Sequence, residues 1–208
     1  MKRTEPGEFY QALDSLKSYQ VSRLILDYSA RCRIRIKTPE MDENGACQLI
    51  ITGDNRFKLI ISAPVGGTIL SVYQDDHIVQ ILNYHDKVFQ QLKNNQVNRS
   101  RAFGFVNLNA AELREIFWGR EIAGNASSLE FSYDQGRPFQ IRKEMQASDQ
   151  LITIKKWLTY RGIWIPKIID FADPNREVYL KVVITSFDPA GVYELEPVGI
   201  PQGFQLRH

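Results

Sequence analysis

Between two sets of strand-like segments lies one helix marked at both ends, and few folds accommodate that arrangement. The stretch is Asn107 to Arg120, Asn-Leu-Asn-Ala-Ala-Glu-Leu-Arg-Glu-Ile-Phe-Trp-Gly-Arg. Asn109 stands where an N-cap side chain accepts from the free N–H groups of the first turn. Glu112 follows at the spacing of a capping box, and Leu108 and Leu113 hold the two positions of a hydrophobic staple. Gly119 stands where helices end in a left-handed residue. Leu113, Ile116 and Phe117 form an apolar stripe at i, i+3, i+4, widened by Trp118. A lone stripe in a strand-rich chain must lie on a sheet, either as permanent core or as a lid over a cavity.

The remaining periodicity is that of short antiparallel strands. From Val21 to Lys37 the pattern has period two, with Ile34 and Ile36 alternating with Arg33, Arg35 and Lys37. Asp42-Glu43-Asn44-Gly45 reads as a turn. Further strands are predicted at 47–52, 56–62, 68–73, 78–82 and 87–92, and after the helix at 129–133, 138–144, 151–158, 163–171 and 178–187. Turn residues separate neighbours, which points to a meander and not to βαβ units. Pro166 inside a strand segment marks an edge or a bulge. Residues 94–101 read as a polar loop, and 7–19 as a short first helix with Phe9, Leu13 and Leu16 on one face. About ten strands in one antiparallel sheet curl. The expected fold is therefore mainly β with some helix (α+β), a strongly curved antiparallel sheet forming an unclosed barrel, with short helices over its concave face. One domain spans 1–208, and the tail after Pro189 is expected to be extended and loosely attached.

Composition excludes several function classes. The chain has 208 residues, 43% of them hydrophobic, and a formal net charge of +2. That is enough apolar residue for a sizeable core, and too little charge to demand nucleic acid as a partner. The three histidines form no ligand pair at helical spacing, so no metal and no cofactor is expected; His77 reads as a solvated hairpin tip. No nucleophile elbow or Walker loop is present. Pro64-Val65-Gly66-Gly67-Thr68 joins two strands and lacks the helix N-terminus of a phosphate cradle. No carboxylate pair stands out for acid–base work. The strand aromatics Phe131, Tyr133, Phe139, Trp157, Tyr160, Trp164, Phe171 and Tyr179 read as core, or in part as the lining of an apolar pocket. Cys32 and Cys47 flank a predicted hairpin. A disulfide is geometrically open to them in an oxidising compartment, but they read more simply as two small strand side chains. The opening Met-Lys-Arg-Thr-Glu-Pro-Gly carries no apolar h-region, so the chain is either cytosolic or lacks a removed export signal.

Several of these segments together resemble one family. Ser62 to Ile69 is similar to a Ser-Pro-Leu-Gly-containing segment of the LolA/LolB-like superfamily of outer-membrane lipoprotein carriers and receptors. Leu108 to Arg120 resembles that family's helix ending in Trp-Leu-x-Gly, although here Trp118 stands directly beside Gly119. Tyr28 to Ile36 resembles its first long strand, with Cys32 at a step usually held by a small residue. The order of elements agrees over roughly residues 9 to 187. The resemblance implies a non-enzymatic protein of the bacterial cell envelope, in the periplasm or at the inner leaflet of the outer membrane. It would sequester acyl chains of lipoproteins or other lipids, with a periplasmic carrier protein, and the membrane surface if anchored, as further partners. The receptor member is anchored through an N-terminal cysteine, and none stands at the start of this sequence. That member also bears an exposed apolar residue on a loop. Val65 is the corresponding candidate, although by itself it reads as a buried corner residue.

The cavity is expected to be lined by Leu113, Ile116, Phe117 and Trp118 from the helix and by Ile34, Ile36, Leu49, Ile51, Leu59, Ile61, Ile69 and Ile81 from the strands. A slip of one residue would exchange inside for outside along any strand. The alternative from another class is an envelope scaffold of the same fold with a filled core, binding a protein partner through a sheet edge or its tail.

Overall fold

In the computed structural model the described residues are 27–39, 41–93, 108, 110–118, 129–134, 137–143, 150–160, 163–173, 177–188 and 193–207. The predicted helix at 7–19, the loop at 94–101, the cap Asn109 and the terminating Gly119 lie outside them.

Twelve strands are found among the described residues, in one sheet that is not closed into a barrel. The first meander is β1 (Tyr28–Thr38), β2 (Met41–Ile51), β3 (Phe57–Ser62), β4 (Thr68–Gln74), β5 (Ile78–Asn83) and β6 (Val88–Lys93). Helix α1 (Ala110–Trp118) follows. The second meander is β7 (Leu129–Asp134), β8 (Arg137–Lys143), β9 (Gln150–Tyr160), β10 (Ile163–Asp173) and β11 (Val178–Asp188). Antiparallel pairing of β1 with β11 joins the two meanders. A final short strand, β12 (Gln205–Arg207), pairs parallel to β6. The strand order is β12-β6-β5-β4-β3-β2-β1-β11-β10-β9-β8-β7.

Alternation decides the two faces. Along β1, Tyr28, Ala30, Cys32, Ile34 and Ile36 are buried, whereas Arg31, Arg33, Arg35 and Lys37 are exposed. Register carries the buried row across the sheet. Ile34 faces Val182, Leu49 faces Leu59, and Leu59 faces Val72. The inner row forms one core with Leu108 and the buried side chains of α1. Pro166 sits at a bulge, where the β9–β10 register shifts between Pro166 and Ile168. Its ring cannot donate to the ladder, and the bulge removes that demand.

Three expectations about the elements and their links fail, each for a tertiary reason. The turn predicted at Asp42–Gly45 is strand. Thr38 pairs with Met41, and β2 runs opposite the whole of β1. Asp42 is held there by Arg35, whose Nε and Nη2 donate to the two carboxylate oxygens at 2.8 and 2.7 Å. Gly45 serves close packing: a Cβ there would lie 2.7 Å from the carbonyl oxygen of Ser62 on β3. Gly45→Ala is therefore expected to lower unfolding free energy by about 1–3 kcal/mol, read from a urea melt. An unchanged midpoint would show that β3 yields without cost.

The second failure concerns the cysteines. Cys32 and Cys47 are directly opposed on β1 and β2, with Cα atoms 4.9 Å apart, and are joined as a disulfide. The third concerns the tail. Leu195 is buried, the Val198 N–H donates to Gln80 Oε1 at 2.7 Å, and Arg56 Nη1 donates to the Leu195 carbonyl. With β12 in place, the tail lies over the outer face of β4–β6. That face is apolar enough to require cover: Tyr73, Leu82 and Phe89 point outward, opposite in parity to Val72 and Ile81, and all three are buried.

Candidate functional site

Helix α1 lies on the concave face against β2 and β10. Every residue from Glu112 to Trp118 is buried. Leu108 and Leu113, the predicted staple pair, are buried together beneath it. At its C-terminal end Phe117 and Trp118 meet the Tyr28 ring, with centroids 5.7 Å away in each case. Phe187 closes this cluster at 4.6 Å from Tyr28 and 5.6 Å from Trp118. The helix thereby bridges the start of β1 and the end of β11 through aromatic edges and faces. Burial pushes the Tyr28 hydroxyl well above its usual pKa, and that hydroxyl has no hydrogen-bond partner among the described residues. Tyr28→Phe is expected to be neutral or to stabilise by about 1 kcal/mol, because an unpaired buried hydroxyl is removed. A clear loss in thermal midpoint would show that the hydroxyl is partnered.

The other attachment of α1 is polar. Arg114 donates from Nη1 to the Gly53 carbonyl at 3.2 Å and from Nη2 to Asn55 Oδ1 at 3.1 Å. Burial pulls this guanidinium below its usual pKa, and neighbouring Glu115 opposes the shift. The acceptors sit on the β2–β3 turn, where Asn55 takes φ +61°. The same turn is built by Asp54, which accepts from Arg56 and Thr52, and by Asp27, which accepts from the Gly53 N–H at 3.1 Å. Arg56 holds the Asp54 carboxyl below the usual carboxylate range.

Between α1 and the sheet remains a cavity of about 40 Å³. Pockets that hold a drug-sized ligand run to roughly 300–1,000 Å³, so this hollow is nearly filled. What fills it is the helix. Leu113 and Phe117 form the roof, with Leu108; the sheet supplies the walls. Of the predicted lining residues, Ile34, Leu49, Leu59, Leu113 and Phe117 border the cavity. Ile36, Ile51, Ile61, Ile81, Ile116 and Trp118 are buried in the surrounding core without bordering it. Ile69 is misplaced. It is 37% exposed on the outer face, because Leu70 takes the inner position opposite Ile61.

Phe171, one of the strand aromatics read as core or pocket lining, borders the cavity; sequence reasoning missed the disulfide sulfurs of Cys32 and Cys47, Phe57, Val72 and Val79, and, from the second meander, Leu180 and Val182. Their strands were predicted, but only the pairing of β1 with β11 brings the second meander to this wall. Gln74, also missed, is the one polar side chain bordering the cavity among the described residues. Of the other strand aromatics, Phe131 and Trp157 pack against the core, while Tyr133 and Phe139 are exposed. Val65 is 98% exposed at the tip of the β3–β4 loop, where Gly66 and Gly67 take φ +97° and +82°. The corner reading of this residue is thereby overturned. Among the described residues no helix is long and apolar enough to cross a membrane.

Among the described residues the chain is a long curved open sheet with one short helix laid in its hollow. Two solved structures share this architecture. A putative outer membrane lipoprotein-sorting protein domain from Vibrio parahaemolyticus superposes with TM-score 0.55 at 9% identity, covering 84% of this chain and 90% of that one. A LolA superfamily protein from Nitrosomonas europaea superposes with TM-score 0.54 at 9% identity, covering 86% and 94%. At such identity the likeness speaks for the fold alone. No curated protein matches the sequence. The family model described as "Outer membrane lipoprotein LolB" matches residues 26–186, and the chain belongs to that family. It is thus a protein of lipoprotein localisation, a kind comprising carriers and receptors and not enzymes.

Proposed function

We propose that the hollow between the concave face and α1 sequesters the acyl chains of lipoproteins during their delivery at the outer membrane, on its periplasmic side. The observation that carries this reading is that an apolar wall drawn from both meanders is roofed by one short helix, whose own side chains occupy the space.

An incoming acyl chain would take the place of the helix, whose stripe is buried in the hollow and in the core around it. Leu113, Ile116, Phe117 and Trp118, at about 1.5–3 kcal/mol each, give on the order of 6–12 kcal/mol of burial. An acyl chain of about 12–15 methylenes gives ~10–12 kcal/mol at ~0.8 kcal/mol per CH₂. The two nearly balance. Exchange of helix for lipid then runs close to equilibrium and needs no catalytic group or energy source. A carrier protein that presents the chain, and the fully exposed Val65 on a loop at the sheet end, would serve the handover. The single domain would span 1–208, with the tail as an integral outer layer.

The nearly filled hollow also favours a second reading, a scaffold with a permanent core that binds a protein partner. Displacement of a fluorescent fatty acid separates the two. The carrier reading expects saturable displacement by fatty acids, with affinity rising roughly fourfold per added CH₂ until the hollow is full. No saturable displacement at any chain length leaves the scaffold reading.

A further inference from the structure

The concave face changes character towards one rim of the sheet. Register sets Tyr28, Ile51, Phe57, Gln74 and Val79 in a single row across β1 to β5. This row is the last before the β2–β3 and β4–β5 turns, and the first of those turns is where Arg114 attaches α1. The next row inward is Ala30, Leu49, Leu59, Val72 and Ile81, apolar throughout. Within these two rows, polar side-chain atoms therefore occur only at the rim, in the Gln74 amide and the Tyr28 hydroxyl. Gln74 borders the cavity. Tyr28 stands beside it under the helix.

Tyr28 is fully buried, and its hydroxyl has no hydrogen-bond partner among the described residues. A buried donor left unpaired costs stability, and phenylalanine would fill the same space without that loss. Such a group calls for a reason, and a partner that arrives with a ligand supplies one. The Tyr28 ring is covered by Phe117 and Trp118 of the α1 stripe, with Phe187 beside them. When an acyl chain takes the place of that stripe, Tyr28 faces the ligand. A lipid of this class carries an acceptor where its chain joins its headgroup, the ester or amide carbonyl. With the tail lying among the apolar rows, that carbonyl comes to the rim row. A tyrosine hydroxyl can donate to it, and burial holds the proton on Tyr28.

We propose that Tyr28 determines specificity in the hollow: its hydroxyl donates to the carbonyl oxygen of a bound ester- or amide-linked acyl chain, fixing the carbonyl at the rim and the tail inward. This rests on the acyl-carrier reading above, and adds to it a preference for acyl over alkyl chains.

The test uses two lysophosphatidylcholines of equal chain length, a dodecanoyl ester and a dodecyl ether, which differ only in the carbonyl. Each is titrated calorimetrically into the full chain below its micelle concentration. The natural chain is expected to bind the ester about tenfold more tightly than the ether, because only the ester gives the buried hydroxyl a partner. Tyr28→Phe should bring that ratio to about one by weakening the ester alone. A tyrosine with a merely structural role would shift both lipids together. A thermal midpoint of Tyr28→Phe no lower than that of the natural chain excludes misfolding, and the ratio for the natural chain needs no variant. Equal binding of the two lipids by the natural chain, or a tenfold ratio that persists in Tyr28→Phe, overturns the role of Tyr28 and leaves the carrier reading standing. Binding of neither lipid removes the carrier reading, and the role of Tyr28 with it.

Discussion

Replacing Cys32 and Cys47 together by alanine is expected to lower the unfolding free energy by about 3 kcal/mol. The bridge closes a loop with a sequence separation of 15 residues, and denying the unfolded chain that freedom is worth about 3 kcal/mol at such a length. Both residues are almost fully buried in the hollow's wall. A reductant therefore reaches them only when α1 lifts or the chain unfolds. Two measurements check this. The urea midpoint of the double variant should fall with an unchanged slope. Reduction of the natural protein at low denaturant should be slow, and faster once α1 is destabilised. Equal midpoints, or immediate reduction in native buffer, would contradict the bridge as a staple. A bridge of this kind also belongs to an oxidising compartment, which agrees with the proposed periplasmic site.

Phe117→Ala is expected to cost about 3–5 kcal/mol of stability, because the ring is buried in the roof of the cavity and touches the Tyr28 ring as well. The same substitution should improve the response to ligand. A medium-chain fatty acid can occupy the vacated space, and at about a hundredfold excess over Kd a bound ligand adds ~2.7 kcal/mol. Thermal melts with and without fatty acid should thus show a larger upward shift for the variant than for the natural chain. A loss below 1 kcal/mol would mean that α1 is not core. A loss of the expected size with no ligand rescue would favour the filled scaffold.

Much of this architecture was legible in the residues. Ile34 and Ile36 against Arg33 and Arg35 announced β1, and the stripe of Leu113, Ile116 and Phe117 announced α1 almost to its ends, because both are periodicities of neighbouring residues. Membership of the family was legible too, from the order of its segments. The errors share one origin. Asp42-Glu43-Asn44-Gly45 has the composition of a turn, yet it pairs along β1 because a long alternating partner lies beside it. Gln205-Leu206-Arg207 has no strand signal of its own and is ordered by β6. Ile69 and Leu70 are equally apolar, and only the register of β4 against β3 chooses which of them turns inward.

Local chemistry was thus sufficient for the strands, the helix and the greasy character of one sheet face. It left open which strands meet across the seam from β1 to β11, whether Cys32 faces Cys47, how much of the hollow the helix fills, and that the tail roofs the outer face. Those outcomes depend on contacts between residues far apart in the chain. Hydrophobicity alone rewards burial without saying against what, so partner and depth are settled only when the sheet curls and both of its faces find cover.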